Sequence, residues 1–266
     1  GKMEPARAYE LLGLGRVRTR LDISEMRGLT PFVGRQKELD QLVECYGRAM
    51  KGQGQVVGIV GEPGVGKSRL IMQLRSVLPQ GEYSYREGEC HHYGDTVAYL
   101  PIIYILRAYC GIEEGEAEAL SRKKLQQRIS QLDKRLTGML PPLQELLSLK
   151  VEDEQYIRLE PQVKRAKIFE AIWSLIVRES QNRLVVLAVE DLHWIDKASE
   201  EFLNYLIGRL GGAHVLLLLL YRPEFTHSWA SKTYYTQIRV DELTLETSAE
   251  MVQGILKGAE AAPDLT

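Results

Sequence analysis

Residues 61–68 constrain this chain more than any other stretch. They read GEPGVGKS and fit the pattern G-x-x-x-x-G-K-[ST], a glycine-rich loop whose backbone amides surround phosphate oxygens. An apolar run at 56–60 precedes the loop, and residues 69–78 follow with apolar side chains at helical spacing. Strand, glycine loop and helix form the context in which this motif binds phosphate. The pattern therefore predicts a nucleotide phosphate site rather than a chance glycine turn.

Each part of this loop has its own chemical task. Glycines allow positive φ and inward-facing amides, which attract anionic oxygens together with the N-terminus of the following helix. Lys67 can reach the β- and γ-phosphates, and the Ser68 hydroxyl can ligate magnesium. We therefore expect a nucleotide with at least two phosphates, together with Mg²⁺, as the cofactors. The loop residues expected to contact them are Gly61, Glu62, Pro63, Gly64, Val65, Gly66, Lys67, Ser68 and Arg69.

Composition narrows the classes of protein that remain. A chain of 266 residues suits one large domain or a domain plus a fragment. Its net charge of −2 lacks the overall positive charge that binding to a polyanion such as nucleic acid favours. Three scattered cysteines without a CxxC pair suggest a reducing compartment, which we take as the cytoplasm. Cys90-His91-His92 offers metal ligands but lacks a second ligand cluster. The most apolar run, 215–220, is far shorter than the roughly 18 residues of a membrane span.

Strand-like and helical patterns alternate along the rest of the chain, which predicts a three-layer α/β/α fold with a parallel sheet. The expected strands are 56–60, 83–89, 184–189, 215–221 and 234–240. The expected helices are 36–50, 69–78, one opened by Pro101, 116–137, a short one at 141–149, a longer one opened by Pro161, 197–210, and one starting at a capping box at 247–250. Residues 16–23 alternate like a strand, with three arginines that form either a solvated face, which we favour, or a nucleic-acid arm.

Two carboxylates close the third apolar run. A buried strand at 184–189 ends in Glu190 and Asp191, and such a strand delivers its tip to the same sheet edge as the glycine loop. There the acids can serve the magnesium and the attacking water. Neighbouring side chains on an extended chain point to opposite faces, so the two acids need not share a role. A solvated acidic turn is the alternative, and the upstream glycine loop argues against it.

Residues near the next strand tip are further candidates. Arg222 follows the strand at 215–221 and suits stabilisation of transition-state charge, with a surface arginine as the alternative. His193 is either a sensor of the γ-phosphate or a structural histidine. We expect Trp194 in the core and Asp196 as the N-cap of a helix.

Four segments in this order resemble one known family. FVGRQKELDQL, GEPGVGKSRL, VEDLHWID and LLYRPEF are similar to the STAND branch of AAA-related P-loop ATPases. The resemblance is closest to ATPase modules that follow the class III adenylate/guanylate cyclase domain in bacterial multidomain regulators. Residues 8–35 resemble the junction between those two domains. The glycine loop alone is specific only for nucleotide binding, whereas the four motifs together are much more specific.

The resemblance implies roles for individual residues and a sheet order of 5-1-4-3-2. It places Gly34 and Arg35 near adenine and ribose, Lys67 and Ser68 at phosphate and magnesium, Glu190 toward magnesium, Asp191 toward water, and Arg222 as a sensor arginine. Two positions depart from the family: Gln36 stands where an acid is usual, and Glu190 stands where aspartate is usual. The second departure means that the two acids could exchange roles.

These observations together predict an ATP-binding, Mg-dependent signalling ATPase that regulates an attached effector domain, with a nucleotide cyclase as the expected effector. We expect a linker and domain remnant at 1–30, an ATPase core at 31–243 with a helical insert at about 91–183, and a truncated helical lid at 244–266. The expected partners are nucleotide, a cyclase upstream and a helical-repeat or effector region downstream in the same polypeptide, and a nucleotide-dependent oligomer, without membrane. Two alternatives remain: a nucleotide-binding module without turnover, and a nucleic-acid remodelling ATPase of the AAA type, against which the acidic balance argues.

Overall fold

The computed structural model describes residues 32–92 and 97–260. The strand-like pattern at 16–23 and most of the segment that resembles a cyclase junction lie outside these residues.

A parallel sheet forms the centre of the described part of the chain. Its five strands are β1 (Gln55–Val60), β2 (Tyr83–Glu89), β3 (Leu184–Glu190), β4 (Val215–Tyr221) and β5 (Tyr235–Arg239). They lie in the order β2-β3-β4-β1-β5 with parallel pairing throughout, which confirms the expected order. Because the strands are parallel, the carboxyl ends of β1, β3 and β4 share one edge of the sheet.

Helices cover both faces of this sheet, as the predicted three-layer fold requires. On one face lie α1 (Gln36–Met50) and α2 (Lys67–Val77), packed on alternate residues of the central strands. The other face carries α8 (Lys197–Ile207) and the insert between β2 and β3. Strands β1 and β4 are buried along their whole length, which explains why they read as continuous apolar runs. A last helix, α9 (Leu245–Glu260), follows β5.

The described residues of the insert between β2 and β3 form five α-helices: α3 (Leu100–Cys110), α4 (Glu118–Leu132), α5 (Leu140–Leu146), α6 (Glu154–Ile157) and α7 (Pro161–Ser180). Helix α3 lies against the edge strand β2. A Cβ on Gly88 would be 2.3 Å from the carbonyl oxygen of Pro101, so this close approach needs glycine at position 88. The contact packs the start of α3 closely against one face of β2.

Two helix predictions were wrong in their bounds. The expected helix at 116–137 ends at Leu132, because Asp133 is extended and its carboxylate accepts the backbone N–H of Arg135 at 3.0 Å, which starts a separate turn. The last helix begins at Leu245 rather than after the box at 247–250, and the Thr244 hydroxyl accepts the Thr247 backbone N–H at 3.3 Å. By contrast, Asp196 caps α8 as predicted and accepts the Ser199 backbone N–H at 2.9 Å.

None of the helices within the described residues combines the length and the apolar character needed to cross a membrane.

Candidate functional site

The glycine loop joins β1 to α2 at the carboxyl edge of the sheet. Gly64 and Gly66 have φ values of +81° and +97°, a region in which L side chains are strained. Gly61 is needed for space, because a Cβ there would lie 2.3 Å from the carbonyl oxygen of Val240. Helix α2 starts directly after Gly66, so its N-terminal N–H groups face the loop. The loop thus has the backbone form that surrounds a phosphate.

Lys67 folds back over this loop. Its Nζ donates hydrogen bonds to the carbonyl oxygens of Gly61 at 2.7 Å and Glu62 at 2.9 Å. Burial lowers the pKa of Lys67; the Asp191 carboxylate opposes that shift, and the Arg222 charge adds to it. The ammonium group therefore lies within electrostatic reach of both predicted catalytic strand ends. Phosphate oxygens would replace the two carbonyls with stronger, charge-assisted hydrogen bonds.

Ser68 and Glu190 meet across the site. The Ser68 hydroxyl donates to Oε2 of Glu190 at 2.8 Å, which joins the start of α2 to the end of β3. The other carboxylate oxygen, Oε1, is buried without a hydrogen-bond partner among the described residues. Hydroxyl and carboxylate oxygens are ligands that Mg²⁺ prefers, and an unpartnered buried oxygen beside them fits a cation.

Within the described part of the chain, no group of three or more His, Cys, Asp or Glu side chains could hold a metal ion. A magnesium ion at a nucleotide takes most of its ligands from phosphates and water, so the pair of Ser68 and Glu190 suffices for the protein's share.

Acidic neighbours surround Glu190. Burial raises its pKa to about 7, repulsion from Glu87, Asp191 and Glu89 acts in the same direction, and the Ser68 hydrogen bond opposes it. The Glu87 carboxylate also accepts a hydrogen bond from the Tyr85 hydroxyl at 2.8 Å. Sequence analysis missed Glu87 and Glu89, which lie on β2. Their signal was the alternation of acids along that strand, which becomes informative only once β2 is known to pair with β3.

Asp191 has a strained backbone. Its φ of +53° lies in the left-handed region, and the turn Leu192–Trp194 starts directly after it. Such a conformation costs a non-glycine residue about 1–2 kcal/mol, and aspartate is among the residues that adopt it most readily. Of the charges acting on Lys67, Asp191 has the largest effect. The chain therefore turns at the residue that brings a second carboxylate to the phosphate loop.

Arg222 follows β4 directly and lies beside Trp194. Its Cζ is 5.1 Å from the centroid of the indole ring, and Nη1 is 3.9 Å from Glu224. Trp194 packs against the core as predicted, but its side chain is only half-buried. One face of its ring is covered by Arg222 and not by core residues.

His193 contacts Trp194 at 4.4 Å between ring centroids. Burial and the charge of Arg222 lower the pKa of His193, and both ring nitrogens are buried without a partner among the described residues.

Gly34 and Arg35 pack near the start of α9. Gly34 has a φ of +69°, and a Cβ there would lie 2.8 Å from Cγ2 of Thr247. Arg35 is buried, donates to Glu38 at 3.2 Å and also donates to the backbone carbonyl of Asp241. These contacts tie the start of α1 to the segment after β5. The expected nearness of both residues to the base and ribose stays a prediction.

Arg69 points along α2. Its Nη1 donates to Gln73 at 3.1 Å, and its Cζ lies 5.3 Å from the ring centroid of Phe32. Its contact with nucleotide also stays a prediction, as do those of Pro63 and Val65. Phe32 was missed as a neighbour of the site, although it opens the segment that carries the family resemblance.

Comparison with known proteins identifies the family. The AAA ATPase domain family matches residues 31–218. An uncharacterized protein of Rhizobium meliloti (strain 1021) is 24% identical over 215 residues, which is 80% of this chain and 20% of that protein. The chain thus spans about a fifth of the length of this relative. A chain in a structure of Drosophila ORC bound to DNA aligns with a TM-score of 0.47 and 14% identity, over 97% of this chain and 56% of that one. Because the family match covers most of the sequence and includes both the glycine loop and the carboxylates after β3, the chain belongs to the AAA ATPase domain family.

Proposed function

We propose that this domain binds ATP with Mg²⁺ and hydrolyses it slowly, as a STAND-type switch that regulates an attached effector domain. The observation that carries the proposal is the hydrogen bond of 2.8 Å between Ser68 and Glu190. It joins the phosphate loop to the acidic end of β3, the two parts that a P-loop ATPase must bring together.

Binding rests on the loop and on Lys67. The loop amides and the N-terminus of α2 supply a fixed positive potential for the phosphates. Lys67, now bonded to two carbonyls, would exchange them for β- and γ-phosphate oxygens. Ser68 and Glu190, now bonded to each other, would hold Mg²⁺. When bound, Mg²⁺ would neutralise charge on the β- and γ-phosphates.

Hydrolysis needs one oriented water and one cation at the terminal phosphate. In this proposal Asp191 accepts a hydrogen bond from the water and then takes its proton. The water oxygen bonds to the γ-phosphorus as the bond to the β–γ bridging oxygen breaks, and ADP leaves with that electron pair. Arg222 lies at the neighbouring strand tip and would stabilise the negative charge that develops. Glu190, held by Ser68, is assigned to the metal and Asp191 to the water.

Regulation of an attached domain is supported by two observations. The relative from Rhizobium meliloti is about five times as long as the region that this chain matches, so there the module is one part of a larger protein. Residues 8–35 resemble the junction with a class III cyclase domain. A cyclase as the upstream effector, a downstream effector region, a nucleotide-dependent oligomer and a cytoplasmic location belong to this proposal.

Replacing the loop lysine tests the proposal. We expect Lys67→Ala to lower the affinity for ATP by at least about a hundredfold in isothermal calorimetry with Mg²⁺, because the ammonium provides charge-assisted bonds that alanine cannot. Lys51→Ala, at the exposed end of α1, is the matched control and should bind as the wild type does. Unchanged affinity of Lys67→Ala would contradict the assignment of the phosphate site.

A second experiment distinguishes an ATPase switch from a module that only binds nucleotide. It measures phosphate release over time and identifies the bound nucleotide by mass spectrometry.

A further inference from the structure

We propose that Trp194 is a positioning residue whose indole face holds the Arg222 guanidinium at the mouth of the phosphate site. The inference rests on the proposed ATPase function and deepens it, because it identifies the residue that positions the catalytic arginine. The Cζ of Arg222 lies 5.1 Å from the centroid of the Trp194 ring, within the range in which a cation is attracted to an aromatic face.

Arg222 has weak support from ion pairing. Its contact with Glu224 is 3.9 Å long, and the Glu224 side chain is 61% exposed. Exposed ion pairs at that distance contribute little, since water screens them and two long side chains must be ordered. The Arg222 side chain is itself 30% exposed. The flat indole is therefore the better defined of these two contacts.

Trp194 is in turn held firmly. It ends the turn Leu192–Trp194, in which Leu192 is fully buried and the Trp194 backbone N–H donates to the Asp191 carbonyl at 2.9 Å. Its ring contacts the His193 ring at 4.4 Å and the His92 ring at 5.7 Å and packs against the core. Because Trp194 lies three positions after Asp191 and is hydrogen-bonded to it, we expect the indole and the proposed water-orienting carboxylate to move as one unit.

The charge of Arg222 reaches the phosphate loop from this position. It lowers the pKa of Lys67 and also that of His193, although burial is the larger cause in both cases. Two cations, Lys67 at the start of α2 and Arg222 directly after β4, thus repel each other at the carboxyl edge of the sheet. A bound polyphosphate would relieve their repulsion, and before nucleotide binds the contact with the indole face opposes it.

Substitution of the indole separates positioning from a general role in stability. We expect Trp194→Leu to lower kcat about tenfold with KM and ADP affinity within about twofold, the size of effect that a lost cation–π contact allows. Trp194→Phe keeps an aromatic face and should recover most of the rate. Trp173→Leu, at a half-buried tryptophan on α7, is the matched control and should leave kcat unchanged. An unchanged kcat in Trp194→Leu would overturn the proposal, as would an equal loss of rate and nucleotide affinity.

Coupling between the two residues gives a second readout. In hydrolysis, Trp194→Leu combined with Arg222→Ala should be no slower than Arg222→Ala alone, because the ring acts only through the arginine. Additive losses would contradict that pathway.

Fluorescence tests the stack without any turnover. The emission of Trp194, taken as the difference between wild type and Trp194→Phe, should change when Arg222→Ala is introduced in the nucleotide-free protein. No change would overturn the stack itself. Absent nucleotide binding in the wild type, together with an intact fluorescence effect, would refute the proposed ATPase and leave the contact standing.

Discussion

Two neighbouring carboxylates end β3, and their surroundings differ residue by residue. Glu190 is hydrogen-bonded by Ser68 and surrounded by other acids, which raise its pKa to about 7 together with burial. Asp191 lies in the left-handed region and has the largest charge effect on Lys67. One acid is thus hydrogen-bonded to the loop hydroxyl while the next acts on the loop lysine through its charge, and this division supports separate roles for them.

Asp191→Asn tests the role of the second acid without disturbing the turn, because asparagine also tolerates positive φ. We expect the variant to bind ATP with near wild-type affinity and to lose at least about a hundredfold in single-turnover hydrolysis, since an amide cannot accept the proton of the attacking water. Asp40→Asn, at an exposed position on α1, is the control. A variant that loses affinity yet retains the rate of the chemical step would assign Asp191 to binding instead.

The residues of the site were predictable to different degrees. Lys67 and Ser68 stand at fixed offsets in a loop whose backbone chemistry is local, and Glu190 closes an apolar run. Trp194 and Glu87 contact or influence neighbours that are distant in sequence: Arg222, directly after β4, for the first and Glu190 on β3 for the second. No local pattern states which strand lies beside which, so these contacts required the assembled sheet.

At the level of strands and helices, continuous apolar runs placed β1, β3 and β4 well, since a strand buried on both faces has no polar alternation to confuse it. The single helix predicted for 116–137 ends early because of the side chain of Asp133. Asp133 binds Arg135 and also accepts a hydrogen bond from Arg178 at 2.9 Å, a partner on α7 that spacing along the chain could not reveal. Apolar residues keep their helical spacing beyond Asp133, but the hydrogen bonds of the Asp133 side chain end the helix.

A polar cluster joins the last residue of β4 to the first residue of β5 on the face opposite α1. The hydroxyls of Tyr221 and Tyr235 lie 2.7 Å apart, and each is within 3.0 Å of Nε2 of His227. The Trp229 backbone N–H donates to Nδ1 of His227 at 3.3 Å. Gly58 makes room for the cluster, because a Cβ there would lie 2.4 Å from the Tyr235 hydroxyl oxygen. Acceptance at Nδ1 requires a neutral imidazole.

The pH dependence of stability should report this cluster. Burial lowers the pKa of His227 from 6.5, so the unfolded chain binds the proton more readily and stability declines as pH falls below about 6.5. We expect the melting temperature of the wild type to fall more steeply between about pH 7.5 and 5 than that of His227→Phe, which cannot titrate. The slope carries the comparison, because the substitution also removes hydrogen bonds. Parallel slopes would show that His227 is equally basic in both states.

For the whole molecule, the order of the strands came from the family resemblance and not from periodicity. The five insert helices lie between β2 and β3 in sequence, and non-covalent contacts must hold them on the face of the sheet. A buried carboxylate on α7, Glu179, does part of this: its side chain is 6% exposed. It accepts from the Tyr109 hydroxyl on α3 at 3.2 Å and pairs with Arg128 on α4 at 3.6 Å. It also pairs with Arg183, just before β3, at 3.0 Å.

Glu179→Gln should therefore loosen the insert as a unit. The amide keeps the volume but cannot accept from all three donors, and unpaired buried polar groups cost about 1–3 kcal/mol of unfolding free energy in urea titrations. Glu154→Gln is the matched control, because its pair with Arg158 is exposed on both sides and should contribute little to the free energy of unfolding.

Hydrogen exchange in Glu179→Gln should quicken in α3, α4 and α7. Strands β1 and β4 should keep their protection, since α1 and α2 cover them from the other face. Uniform loss of protection across sheet and insert would show instead that the two unfold together and that Glu179 stabilises the domain as a whole.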